Sequence, residues 1–177
     1  MQDLIAWKNR EDRKPLILLG ARQVGKTYIL KEFGQREFEN VAYINCDNNA
    51  MAKDLFASDY NIDRILLTIG AITGVNIEAG KTLIIMDEIQ ELHRGLASLK
   101  YFCENAREYH VAVAGSLLGL SLHQGESYPV GKVNTLEMYP MTFEEFLWAR
   151  GFKQRMDLLQ HGMWDVVKSL RTLYIQH

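Results

Sequence analysis

The sequence predicts an α/β protein, with a five-stranded parallel β-sheet between two layers of helices. Short apolar runs typical of strands alternate with segments whose apolar residues recur at helical spacing. One run, residues 82–87 (TLIIMD), is apolar over most of its length, as in strands buried on both faces of a parallel sheet. A Gly-rich loop follows the first predicted strand and leads into a helix. Because ligands bind at the carboxyl ends of the strands in such sheets, functional residues are expected there.

The elements follow in order from composition and stop signals. Strands are predicted at 16–19, 41–45, 82–87, 111–114 and 133–138. Helices are predicted within residues 1–14, at 27–33 ended by Gly34, at 51–56, at 62–72 ended by Gly74, at 92–106, after the Thr142–Glu145 capping box, and at 163–174. This alternation implies right-handed crossovers between parallel strands.

Composition narrows the class of protein. Of the 177 residues, 47% are hydrophobic and 24% are charged, as in ordinary globular domains. The net charge of −2 gives no general attraction to nucleic acid or anionic membranes. There is no signal peptide at the start and no run long enough to span a bilayer, so a cytoplasmic protein with no membrane partner is expected. Cys46 and Cys103 share no metal-type spacing, and the His residues are scattered, so no zinc site is predicted.

Residues 16–27 (LILLGARQVGKT) match the phosphate-binding loop pattern, Gly-x-x-x-x-Gly-Lys-Thr, between a strand and a helix. Gly20 allows a sharp turn off the strand, and Gly25 allows the backbone to approach a phosphate. The following N–H groups form an anion-binding nest at the positive end of a helix. Lys26 is predicted to contact the β- and γ-phosphates, and the Thr27 hydroxyl to hold Mg²⁺. The predicted nucleotide contacts are Gly20, Ala21, Arg22, Gln23, Val24, Gly25, Lys26, Thr27 and Tyr28.

Two carboxylates follow the third predicted strand. Asp87 is predicted to orient Mg²⁺ together with Thr27, directly or through water. Glu88 is predicted to polarise a water for attack on the γ-phosphate. Alone, the pair is also typical of a solvated acidic turn, but the phosphate loop favours the catalytic interpretation. The fold is therefore predicted to be a three-layer P-loop NTPase of the additional-strand type.

Other candidate residues keep two interpretations each. Ser116, after the fourth strand, is placed either to contact the γ-phosphate or attacking water, or to cap a following helix. Lys132 and Arg107 are candidates for sensing γ-phosphate across a subunit boundary, or are ordinary surface charges. Arg22 either pairs with a carboxylate or reaches a phosphate. No Asn-Lys-x-Asp element typical of guanine-specific P-loop proteins occurs, so ATP is the expected nucleotide.

Four motifs in order resemble a known family: GARQVGKT, LIIMDEIQ, AGSLLG, and PVGKV followed by MYPMTFEEFL. They resemble the prokaryotic AAA+-like ATP-binding proteins of the AAA domain type 14 group, from about Trp7 to about Phe152. The resemblance implies ATP binding and hydrolysis, with Ser116 as a sensor beside the roles given above. Many relatives have Arg where this chain has Lys132, which lacks the bidentate fork of an arginine finger.

Members of that group continue into a helical lid and a C-terminal domain of unknown function, whereas this sequence ends at His177 within a helical pattern. The expected organisation is therefore an ATP-binding core at 1–152 and the start of a truncated lid or C-terminal region at 153–177. Expected partners are ATP and ADP, further copies of the chain, and a protein or DNA reached through the absent region. The leading hypothesis is a Mg²⁺-dependent ATPase that drives a separate effector domain. The alternatives are a non-hydrolysing nucleotide switch and a regulator linked to nucleic acid.

Overall fold

The computed structural model describes residues 1–47, 49–56, 59–115 and 129–151. The chain divides into two compact units, Met1–Tyr139 and a second that begins at Pro140. In the first unit, five parallel strands form one sheet in the order β2-β3-β4-β1-β5. Their bounds are β1 Leu16–Gly20, β2 Asn40–Asn45, β3 Thr82–Asp87, β4 His110–Ala114 and β5 Asn134–Met138. The predicted α/β class and the additional strand, here β4 between β1 and β3, are confirmed.

The helices of the first unit overlap the segments in which the sequence predicts them. They are α1 Gln2–Lys8, α2 Lys26–Glu37, α3 Ala50–Lys53, α4 Ile62–Thr73 and α5 Gly95–Asn105, with a 3₁₀ turn at Ile89–Glu91. The predicted stop at Gly74 is confirmed, because this residue has φ 69° and its N–H donates to the Gly70 carbonyl at 2.8 Å. The helix predicted from residue 92 begins later, at Gly95. The short helix predicted at 51–56 spans only Ala50–Lys53.

The predicted end of the second helix at Gly34 is wrong. Helix α2 continues through Gly34 to Glu37, and Gly34 is buried in its middle. A Cβ at this position would lie 2.6 Å from Cγ2 of Val41 in β2. Gly34 is therefore explained by the close approach of helix and strand rather than by a turn.

The sheet has a hydrophobic cluster on each face. Ile17 of β1 faces a cluster formed with α4 and α5, whereas Leu16 and Leu18 face one formed with α1 and α2. This alternation is the period of two that a strand imposes on its side chains. Strand β3 is buried at every position, as its apolar run predicts. The packing on both faces fixes the carboxyl ends of β1 and β3 at the same edge of the sheet, with β4 between them.

In the second unit, helix α6 spans Phe143–Ala149. Thr142 Oγ1 accepts from the Glu145 N–H, and the Glu145 carboxylate accepts from the Thr142 N–H, so the predicted capping box is confirmed. The helix predicted at 163–174 lies outside the described residues. The domain boundary at residue 152 stays a prediction. Among the helices described, none combines the length and hydropathy that a membrane span requires.

Candidate functional site

The loop between β1 and α2 is shaped by its two glycines. Gly20 has φ 153°, and a Cβ there would lie 2.3 Å from the carbonyl oxygen of Met138 in β5. Gly25 has the left-handed φ of 95° and forms the N-cap of α2. Both positions therefore require glycine, one because of the neighbouring strand and the other because of its backbone conformation.

The first turn of α2 presents backbone donors at the carboxyl edge of the sheet. The first intrahelical bond is from the Ile29 N–H to the Gly25 carbonyl at 3.0 Å. Within the described part of the chain, the N–H groups of Lys26, Thr27 and Tyr28 have no backbone acceptor. Unpaired N–H groups at the positive end of a helix are the donors that phosphate oxygens use.

The Lys26 side chain is folded over this loop. It is only 6% exposed, and its Nζ donates to the carbonyls of Gly20 at 2.9 Å and Ala21 at 2.7 Å. These bonds hold the ammonium above the curve of the loop, next to the helix donors. A buried ammonium held by neutral carbonyls interacts more strongly with an anion that enters beside it.

Thr27 and Asp87 meet where α2 and β3 adjoin. Thr27 Oγ1 donates to Asp87 Oδ2 at 2.5 Å, and Asp87 is 5% exposed. Asp87 is the last residue of β3 and is in register with Ala114 of β4. The sheet thus brings the predicted metal-binding residues into direct contact.

Tyr43 is a third polar residue at this point. Its hydroxyl donates to the same Asp87 Oδ2 at 3.3 Å, from the adjacent strand β2. Burial, and then the Asp87 charge, raise the pKa of Tyr43 to about 12, so the hydroxyl stays protonated and remains a donor. The Lys31 ammonium lies 3.5 Å from the centre of the Tyr43 ring and steadies it by a cation–π contact.

The donor set fits Mg²⁺. A carboxylate and a hydroxyl oxygen are hard ligands, and Mg²⁺ typically takes few protein ligands and completes its shell with phosphate and water. In the described ranges, no three His, Cys, Asp or Glu side chains come together as metal ligands. Thr27 and Asp87 would therefore hold a Mg²⁺ that a bound nucleotide shares, rather than form a closed all-protein cage.

Glu88 follows Asp87 in a left-handed backbone conformation, φ 52° and ψ 47°. Its N–H donates to Asp87 Oδ1 at 3.1 Å, which turns the chain sharply off the strand. Gln90 Nε2 donates to Glu88 Oε2 at 2.6 Å, and Gln90 Oε1 is buried with no partner among the described residues. The Glu88 carboxylate is thus held at the carboxyl edge, directly after the residue that contacts Thr27.

Sequence reasoning did not identify Tyr43 and Gln90. Gln90 stands inside the LIIMDEIQ motif, so its nearness in sequence to Glu88 was a usable signal. Tyr43 gave none, because its contact depends on the β2–β3 register, in which Tyr43 is opposite Ile85.

Among the remaining predicted residues that the structure describes, Lys132 and Arg107 contact other partners, away from this group. Ser116 lies outside the described residues. Lys132 precedes the amino end of β5, the edge opposite the loop, and its Nζ lies 2.8 Å from Glu104 Oε1. Arg107 donates from Nε to the Cys103 carbonyl at 2.8 Å, at the end of α5. Arg22 is exposed, and Tyr28 is 71% exposed beside the loop.

Known proteins share this sequence pattern and fold. The chain is 31% identical over 145 residues to MJ1637, an uncharacterized protein of Methanocaldococcus jannaschii, a match that covers 77% of this chain and 28% of that protein. Its structure is similar to the ORC1 protein of Aeropyrum pernix, solved in complex with DNA, with a TM-score of 0.51 and 16% identity. That match covers 85% of this chain and 46% of the ORC1 chain. At 16% identity, the structural match to ORC1 shows a shared fold. The chain spans less than half of the length of either protein.

The sequence model of the AAA_14 family, described as an AAA domain, matches residues 12–147. This range includes the glycine loop, the Thr27–Asp87 contact and the Glu88 turn. The match confirms the resemblance seen in the four sequence motifs. The chain therefore belongs to the AAA_14 family of AAA domains.

Proposed function

We propose that this chain binds ATP with Mg²⁺ and hydrolyses it, and that the resulting changes drive a separate effector domain. The observation that carries the proposal is the direct Thr27–Asp87 contact beside the buried Lys26 ammonium. A phosphate-binding helix end, a cation and a metal-binding oxygen pair adjoin one another at one edge of the sheet. Transfer of the γ-phosphoryl group of ATP to water needs these three elements together.

Phosphate binding exchanges the partners of Lys26. Its Nζ is held by two loop carbonyls, and the oxygens of the β- and γ-phosphates compete with them for the same protons. A charge-assisted bond to phosphate is stronger than one to a neutral carbonyl, so the exchange favours nucleotide binding. The N–H groups at the start of α2 then bind the same phosphates.

Thr27 and Asp87 would hold the Mg²⁺ of the nucleotide. Mg²⁺ supplies charge neutralisation on the β- and γ-phosphate oxygens. Thr27 Oγ1 would offer an oxygen lone pair to the metal, and its bond to Asp87 would weaken. Tyr43, which remains protonated, keeps its bond to Asp87 and holds the carboxylate in place.

Glu88 is proposed as the general base. It accepts the proton of a water whose oxygen attacks the γ-phosphorus as the bond from phosphorus to the ADP oxygen breaks. The products are ADP and inorganic phosphate. This proposal is supported by the position of Glu88 one residue after Asp87, beside the proposed metal-binding residues. Ser116 is proposed as a sensor of the γ-phosphate, on the basis of the family motif.

A role for Lys132 across a subunit boundary fits its place in the fold. Because it precedes the amino end of β5, it is on the edge of the sheet opposite the loop of its own chain. A homo-oligomer in which Lys132 meets a neighbour's nucleotide predicts that specific activity rises with protein concentration. Lys132→Ala should remove that rise, and Glu104→Gln, which removes only its ion-pair partner, should keep it.

The second candidate is a nucleotide switch with negligible turnover. The observation that favours it is that Lys26 and Thr27 both have protein partners, so that nucleotide binding alone rearranges the site. A link to DNA through a region beyond this chain is a further proposal. Its support is the shared fold with the ORC1 protein, which was solved in complex with DNA.

Calorimetric titration with Mg²⁺-ATP, together with phosphate release, tests the proposal. Lys26→Ala should weaken ATP binding by roughly 10- to 100-fold, the value of charged hydrogen bonds. Lys53→Ala, an exposed lysine, is its control. Glu88→Gln should keep ATP affinity and lower turnover by roughly 10²- to 10⁴-fold, and the exposed Glu91→Gln should change neither. Equal turnover in Glu88→Gln and the parent protein would exclude Glu88 as the base.

A further inference from the structure

The Gln90 side chain contacts the carboxylate that the proposed mechanism uses as a base. Its Nε2 lies 2.6 Å from Glu88 Oε2, a short bond between a neutral donor and a charged acceptor. The orientation of the amide is fixed by this contact, because a flipped amide would place oxygen against oxygen. Gln90 therefore acts on Glu88 as a donor.

The backbone is arranged so that this contact can form. Side chains two residues apart in a helix do not face one another. Here Glu88 is in the left-handed region at φ 52°, and the 3₁₀ turn starts only at Ile89. A left-handed conformation is unfavourable for a residue with a Cβ, because the Cβ comes too close to the following carbonyl oxygen. The strain at Glu88 thus coincides with a contact that regular helix geometry would not allow.

Packing alone does not account for a glutamine at this position. The turn is anchored by its apolar neighbours, because Ile89 is 0% and Leu92 is 1% exposed. Gln90 adds a buried Oε1 that has no partner among the described residues. A buried oxygen without a partner carries an uncompensated desolvation cost, so an apolar side chain of similar size would stabilise the turn better.

We propose that Gln90 is a positioning residue that fixes the direction of the Glu88 carboxylate for proton transfer. The inference rests on the proposed function. A carboxylate has about four acceptor sites on two oxygens, so a bond from Gln90 to Oε2 is compatible with proton transfer from the attacking water to Glu88. Gln90 itself touches neither the water nor the phosphate. It restricts the rotation of the base and so keeps it within reach of the water.

Steady-state kinetics of the full chain tests this role. Gln90→Leu should lower kcat by roughly 10- to 100-fold, the effect of misplacing a catalytic group, while KM and the affinity for ATP stay unchanged. Gln90→His, whose Nε2–H has a similar reach, should restore most of kcat. Gln90→Glu, which has the same shape but repels Glu88, should be the slowest variant. Gln35→Leu, at an exposed position of α2, is the control for the substitution itself.

The outcomes separate this inference from the proposed function. If Glu88→Gln loses turnover and Gln90→Leu keeps it, the Gln90 role is wrong and the ATPase proposal stands. A higher kcat in Gln90→Leu would also overturn it, because the amide would then restrain the base. If Glu88→Gln retains full turnover, the catalytic assignment itself fails.

A binding measurement serves if the parent chain turns over too slowly to measure. The complex of ADP with aluminium fluoride and Mg²⁺ mimics the transferring phosphoryl group with its attacking water. Gln90→Leu should weaken binding of this complex by roughly tenfold relative to binding of ADP alone. An equal effect on both ligands, or no effect on either, would rule out the positioning role. The Gln90→His and Gln90→Glu proteins provide the same comparison if Gln90→Leu does not fold.

Discussion

Thr27 Oγ1 donates to Asp87 Oδ2 at 2.5 Å, which joins the first turn of α2 to the last residue of β3. The two residues lie 60 positions apart in the sequence, and strand β4 separates β3 from β1, the strand that precedes α2. The contact brings together the two oxygen groups that are proposed to bind Mg²⁺. The proposed metal site is therefore formed by the fold before any nucleotide binds.

The first prediction concerns the hydroxyl in this contact. Thr27→Val should leave the affinity for ATP in the absence of Mg²⁺ unchanged. It should abolish most of the increase in ATP affinity that Mg²⁺ produces in the parent protein. Mutation of a residue that only hydrogen-bonds to a metal ligand typically lowers metal affinity by roughly 10- to 100-fold. Loss of a direct ligand should lower Mg²⁺ affinity by at least as much. Titration of ATP with Mg²⁺ or with EDTA measures the gain. Thr135→Val, at an exposed position of β5, is the control and should behave like the parent protein.

A second prediction concerns Gly20, where β1 meets β5. Gly20→Ala would place a Cβ 2.3 Å from the Met138 carbonyl oxygen, so the loop must move away from the strand. We expect loss of ATP binding and a lower thermal midpoint. Gly80→Ala is the matched control, because Gly80 has φ 76° but no atom within 4 Å of the added Cβ. It should cost only the left-handed strain, roughly 1–2 kcal/mol. If Gly20→Ala and Gly80→Ala changed ATP binding and the thermal midpoint to the same extent, the close contact with Met138 would not be what makes Gly20 necessary.

Local patterns were sufficient for the elements that carry strong signals. The uninterrupted apolar run predicted the buried β3, and the glycine spacing predicted where β1 ends and α2 begins. Gly34 shows the limit of such patterns. A glycine is needed there because Val41 of β2 lies close to α2. The local sequence cannot distinguish a glycine required by such packing from one that ends a helix. The Tyr43–Asp87 bond likewise depends on strand register, which only the folded sheet defines.

The third prediction concerns Tyr43, which shares Asp87 Oδ2 with Thr27. Tyr43→Phe keeps the ring and its contact with Lys31 but removes the donor that holds the carboxylate. Mg²⁺ affinity in the nucleotide complex should fall by about tenfold, the lower end for outer-shell partners, with ATP affinity in EDTA unchanged. Mg²⁺ titrations of the ATP-bound variant and parent measure this. Identical Mg²⁺ curves would show that Thr27 and the strand alone position Asp87.

The last prediction concerns pH and His110, at the start of β4. The ring packs edge-on against Trp7 and Phe38, with centroids 6.0 Å and 4.8 Å away. Burial, and then the charges of Arg13 and Lys8, lower the pKa of His110 from 6.5 to about 4. Its Nδ1 has no partner among the described residues, so nothing there compensates a proton on that atom.

The sign of the effect follows from proton binding. Between pH 6.5 and about 4, the unfolded chain binds a proton at His110 that the folded chain does not, so the free energy of unfolding falls as the pH falls. The shift corresponds to roughly 3 kcal/mol over that range. His110→Phe keeps an aromatic ring in the cluster and removes the titration. Urea unfolding at pH 7.5 and pH 4.5 should therefore show a smaller loss of stability in the variant than in the parent. Equal losses in both would mean that buried carboxylates, rather than His110, determine the acid sensitivity of the fold.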